Sequence, residues 1–174
     1  MEIKQINKNI YKKKVNLVIG GFVALLAISS LAFSTLLIAL FGNTEVVPEQ
    51  STGNFHWNLI GVVLAVATSL SLLNQIKTRP YMEEVLYVWK LKQLHNKIFR
   101  KLKSIKAAAS NDDVKALTTL KFYYTTQRQV FELDNNTLTM SSVNKELEAI
   151  DQIEVDKSLH LDIASFEEGW IDTY

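Results

Sequence analysis

The sequence predicts an all-α membrane protein: a two-helix transmembrane hairpin followed by a small cytoplasmic helical hairpin or three-helix domain. Three observations predict it. Residues 15–44 and 50–76 contain no Asp, Glu, Lys or Arg, and uncharged apolar runs of that length read as spans. Lys and Arg cluster on the outer flanks of the two runs and are missing between them. Beyond residue 80 the apolar residues recur at three- and four-residue spacing, the period of an amphipathic helix.

Residues 1–14 form a basic segment with Lys4, Lys8, Lys12, Lys13 and Lys14. The first span, residues 15–41, is long enough to cross a hydrocarbon core of roughly 30 Å with some tilt. A secretory signal also begins with basic residues, but its apolar region is only about 7–15 residues, so an uncleaved signal anchor is expected. The second span, residues 57–76, starts beside Phe55 and Trp57, whose rings favour the headgroup level, and ends at Asn74 and Gln75. Residues 42–56 between them hold Glu45 and Glu49, no Lys or Arg, and the turn formers Gly42, Pro48 and Gly53. Positive residues near spans are retained in the cytoplasm, so both termini are expected there and the short loop on the opposite side.

Small residues recur every four positions, at Gly20 and Ala24 in the first span and at Gly61, Ala65 and Ser69 in the second. Such ridges let helix backbones approach closely. The expected use is packing of one span on the other, with homodimerisation as the alternative. Neither span core carries an ionisable side chain, which argues against a transporter or channel built from one copy.

Thr78-Arg79-Pro80 ends the second span, because a residue before proline avoids helix and proline suits the first position of a new one. A helix is expected from Pro80 to about residue 109, with Glu83 and Glu84 favourably placed in its first turn. Tyr81, Val85, Val88, Leu91, Leu94, Ile98, Leu102 and Ile105 form its apolar face. The other face carries Lys90, Lys92, Lys97, Arg100, Lys101, Lys103 and Lys106. Ser110-Asn111-Asp112-Asp113 resembles an N-cap, and the helix it opens, over about residues 111–133, has Val114, Leu117, Leu120, Tyr124 and Phe131 on one side. Asp134-Asn135-Asn136-Thr137 is a turn. Val143, Leu147 and Ile150 mark a third helix over residues 140–154, completing a cytoplasmic domain of residues 77–154. The acidic tail, residues 155–174, contains Leu159, Leu161, Ile163, Phe166 and Trp170, and reads as a short helix or a segment ordered by contact.

Several local patterns coincide: Ile6-Asn7-Lys8 with Tyr11, the Phe41-Gly42 exit, Pro80-Tyr81-Met82-x-Glu84-Val85, and Tyr87-Val88-Trp89-x-Leu91-Lys92-Gln93. Arg100-Lys101-Leu102, Phe122-Tyr123-Tyr124 and Leu133-Asp134-x-Asn136-Thr137 follow. With the two spans, this combination resembles a domain-of-unknown-function family of small two-span inner-membrane proteins of Gram-negative bacteria, up to about Ile150. The resemblance implies localisation and fold; it brings no activity and no catalytic residues.

Charge patterning supplies the strongest functional signal. Residues 77–106 hold nine Lys and Arg against two Glu, whereas residues 132–174 hold eleven acids against Lys145 and Lys157. A basic helix leaving the cytoplasmic leaflet gains about 1 kcal/mol per cation near anionic lipid. Anionic headgroups are therefore the expected partner of the seven basic residues, with an acidic protein or the chain's own tail as competitors and a merely solvated face as the alternative. No nucleic-acid motif is present and none is expected to bind. The absence of Cys removes disulfides, thiol nucleophiles and Cys-based metal sites. His95 and His160 lack partners at ligand spacing, and Tyr87, Trp89, Tyr123 and Tyr124 read as core or interface packing. No cofactor, metal or small-molecule substrate is expected. The reading is of a non-enzymatic membrane anchor or scaffold, homodimeric or within a larger complex; the alternative is an accessory subunit of a multi-component transport or envelope-assembly complex.

Overall fold

A computed structural model describes residues 3–43 and 51–174. Among these residues every regular element is helical: α1 (Lys8–Phe41), α2 (Phe55–Ile76), α3 (Glu83–Ala109), α4 (Val114–Asp134) and α5 (Met140–Asp156). Short 3-10 turns cover Pro80–Met82, Ile163–Ser165 and Glu168–Thr173. The expected turn at Pro48 and the acids Glu45 and Glu49 lie outside the described residues. The chain divides into two compact units, one of Met1–Lys12 with Glu84–Tyr174 and one of Lys13–Glu83.

The Lys13–Glu83 unit contains two helices long and apolar enough to cross a membrane. Their side chains are largely uncovered, with Leu31 71% and Ile28 68% exposed, an apolar surface far larger than water tolerates on a monomer. The helices touch where side chains are smallest. A Cβ on Gly61 would stand 2.3 Å from Ser34 Oγ and 2.7 Å from Ser34 N, so only glycine allows that approach. Ser34 Oγ also donates to the Asn58 carbonyl at 3.3 Å. Gly61, Ala65 and Ser69 are buried, whereas Gly20 and Ala24 are exposed. The α1 side of the crossing is therefore built on Ser34, a residue outside the Gly20/Ala24 ridge that the four-residue spacing singled out.

The other unit is a helical bundle around α4. That helix buries Ala116, Leu117, Thr119, Leu120, Phe122, Tyr123, Tyr124, Thr126, Val130 and Leu133, more than the single apolar side its spacing predicts. Asp113 is its cap, accepting from the Lys115 and Ala116 amides at 2.9 and 3.1 Å, while Ser110 Oγ donates back to the Lys106 carbonyl. Asn135 ends it in the left-handed region at φ 58°, a conformation Asn tolerates. The expected stripe on α3 buries Val88, Leu91, Leu94, Ile98 and Ile105, but Tyr81 sits in the preceding 3-10 turn and is 45% exposed.

Two covers of this core come from the ends of the sequence. Asn7 Oδ1 accepts from the Asn9 and Ile10 amides and so starts α1 within the basic segment. Just before it, the Lys4 amide donates to Tyr87 Oη at 3.0 Å, Gln129 Nε2 donates to the Lys4 carbonyl at 2.6 Å, and Tyr11 is buried. In the tail, Leu161, Phe166 and Ile171 are buried, and Phe166 stacks on Phe122 with centroids 4.1 Å apart. Burying such a ring contributes about 1.5–3 kcal/mol, so apolar contact orders the tail.

Candidate functional site

The seven basic residues of α3 divide into two groups. Lys92 pairs with Asp134 at 2.7 Å, Lys106 with Glu146 at 2.7 Å, and Lys97 with both Glu168 and Asp172 at 3.3 and 3.1 Å. Lys106 also stands over the Tyr124 ring, 5.6 Å from its centroid. Hydrogen bonding to Asp172 first, and then to Glu168, raises the Lys97 ammonium above its ordinary value despite some desolvation. At Lys106 desolvation, the largest single effect, lowers the value, but the hydrogen bonds and charges of Glu146 and Tyr124 together outweigh it and raise the ammonium above its ordinary value. The acidic tail thus reaches the basic helix at one cation.

Lys90, Arg100, Lys101 and Lys103 are exposed and make no ion pair among the described residues. The same helix exposes two large apolar side chains: Trp89 is 56% and Phe99 65% exposed. Trp89, Asn96, Arg100 and Lys103 are separated by seven, four and three residues, which places them on one stripe of the helix. Phe99 lies beside that stripe. The aromatics were the unexpected members: Tyr87, Tyr123 and Tyr124 are buried as packing predicts, but Trp89 is turned outward. An outward face mixing Trp and Phe with Lys and Arg suits the boundary between water and anionic lipid.

His95 lies under α3, against α4. It is 9% exposed, its Nε2 is 2.8 Å from Thr126 Oγ1, and its ring meets Tyr123 edge-on at 5.4 Å. Desolvation, then the nearby Lys92 charge, lowers its pKa to about 4. A neutral, enclosed imidazole so far below neutrality is a packing residue, poorly matched to general acid–base work. His160 is exposed. No group of three or more His, Asp or Glu that could hold a metal occurs among the described residues. Across the bundle Lys121 bridges Glu154 and, at 3.2 Å, Asp151. Glu154 also accepts from the Leu161 amide at 2.8 Å, and these contacts hold its carboxyl below the ordinary range.

No significant match is found among curated proteins or among solved structures. One family, described as Protein of unknown function (DUF3087), matches residues 1–171, reaching beyond Ile150 through nearly all of the acidic tail. That coverage takes in both apolar helices, the basic face of α3 and the buried Phe166, and the chain belongs to the DUF3087 family.

Proposed function

We propose that this chain is a non-enzymatic anchor of the Gram-negative inner membrane. α1 and α2 cross the bilayer, both termini are cytoplasmic, and the outer face of α3 rests on the anionic headgroups of the inner leaflet. The observation that carries the reading is the outward stripe of α3 on which the exposed Trp89 lies with the uncommitted cations Arg100 and Lys103. Only residues 77–82 separate α2 from α3, so the basic helix follows the second apolar helix closely in sequence. The same-side topology is supported by the N-terminal strap: residues before α1's apolar stretch and residues after α2 share one folded unit.

The test uses the full chain reconstituted in vesicles, with Trp57→Phe and Trp170→Phe leaving Trp89 as the reporter. Trp89 emission is expected to shift to the blue in phosphatidylglycerol vesicles relative to phosphatidylcholine, and to return when Lys90, Arg100, Lys101 and Lys103 are changed to Gln. Added salt should weaken the shift, because exposed charges are screened beyond about 10 Å at 0.1 M. Identical emission on both lipids would sink the headgroup contact. The exposed Gly20 and Ala24 favour a second reading, an accessory subunit whose α1 packs on foreign membrane helices. In-cell crosslinking from Gly20→Cys distinguishes them: a reproducible multispan partner favours the subunit, and self-crosslinks or none favour the anchor.

A further inference from the structure

The Lys13–Glu83 unit contains a half-open crevice of about 450 Å³. Leu17, Val18, Phe22 and Leu25 of α1 wall one side and Leu72, Leu73 and Ile76 of α2 the other. Gly21 and Ser69 open it by their small size, and Arg79, Tyr81 and Met82 stand at one end. From Leu17 to Leu25 the crevice extends about 12 Å along the helix, close to the depth of one leaflet of a roughly 30 Å hydrocarbon core. Apart from Ser69, Arg79 and Tyr81 its lining is apolar, as a hydrocarbon chain requires.

The ends of the crevice differ in charge. Arg79 and Lys77 are exposed and make no ion pair among the described residues. Arg79 lines one end, and Lys14 lies over the Tyr81 ring beside it, 5.2 Å from its centroid. Far from Arg79 the lining is Leu25 and Ser69, without charge. An apolar slot of leaflet depth with cations at its mouth is complementary to one lipid class. We propose that the crevice binds one acyl chain of an anionic phospholipid, with its phosphate on Arg79. This assignment rests on the membrane-anchor reading, and it is distinct from the outer face of α3, which touches headgroups alone.

Two neighbouring glycines make the test specific. A Cβ at Gly20 or at Gly21 meets nothing within 4 Å, yet only Gly21 lines the crevice. Gly21→Leu fills the slot, and Gly20→Leu adds the same bulk outside it. The full chain, purified in detergent, is titrated with phosphatidylglycerol and with phosphatidylcholine of identical chains, and bound lipid is counted by native mass spectrometry. Phosphatidylglycerol is expected to bind about fivefold more tightly than phosphatidylcholine, the value of one basic contact. Gly21→Leu should weaken both about tenfold, as loss of two or so buried methylenes would, while Gly20→Leu leaves both unchanged. Arg79→Gln should equalise the two lipids and retain chain binding.

Equal binding by the two Leu variants, or a headgroup preference that survives Arg79→Gln, would overturn the assignment. Alkaline carbonate extraction of cell membranes separates this failure from that of the anchor itself. A chain released by carbonate overturns the anchor and the crevice together. A chain that stays in the membrane while Gly21→Leu binds lipid normally overturns the crevice alone.

Discussion

The Thr126 hydroxyl decides the state of His95. With its single proton on the Phe122 carbonyl, 2.8 Å away, it accepts at 2.8 Å from the imidazole, and Nε2 is then the protonated nitrogen. Unfolded, the imidazole titrates near 6.5; folded, it titrates at about 4. Between these values the unfolded chain binds the extra proton. The stability due to neutral His95 is full above pH 6.5, falls with pH and is lost by about pH 4, a loss of about 3 kcal/mol. His95→Gln retains a donor for Thr126 and does not titrate. Denaturant unfolding from pH 7 to 4 should show a shallower decline for the variant than for the wild type, and equal slopes would mean that the buried ring is not neutral.

At the scale of elements, the tail shows which force holds it. Phe166 is 1% exposed against Phe122, whereas the partners of Lys97 are exposed acids whose pairing is screened by water. Phe166→Ala should lower stability by about 3–5 kcal/mol and Lys97→Ala should leave the melting temperature nearly unchanged; the opposite ranking would make the contact electrostatic. The stripe on α3 was legible because Leu91, Leu94, Ile98 and Ile105 repeat at helical spacing. The full burial of α4 was not. Thr119 and Thr126 read as polar in the sequence, yet each hydroxyl bonds a carbonyl of its own helix, at Lys115 and Phe122, and is buried at little cost. Of the two readings open for Trp89, core or interface packing, the outward turn leaves the interface one. Ser34 escaped notice because one serine among many small residues of a long apolar run carries no spacing signal.

For the whole molecule, the near-neutral total charge conceals a segregation along the chain, with a surplus of seven positive charges in residues 77–106 and of nine negative in residues 132–174. Part of that opposition is used internally, at Lys92, Lys97 and Lys106. The part left over bears on orientation. A reporter active only outside the cytoplasm should work when inserted beside Glu49 and fail when fused after Tyr174; the reverse result would overturn both the topology and the headgroup contact. The covering of the bundle by Lys4 and Tyr11 could not be read from sequence, because a basic segment ahead of an apolar run signals orientation and says nothing about what it packs against.

That N-terminal strap also sets the order of events during synthesis. Its hydrogen bonds join residues 83 and 125 positions apart, so the strap leaves the ribosome long before its partners on α3 and α4 exist. It waits while α1, α2 and most of the bundle are made. Contacts of such separation close late in folding. A chain stopped before α4 therefore lacks Gln129, the donor to the Lys4 carbonyl, and that end of the strap stays unmade.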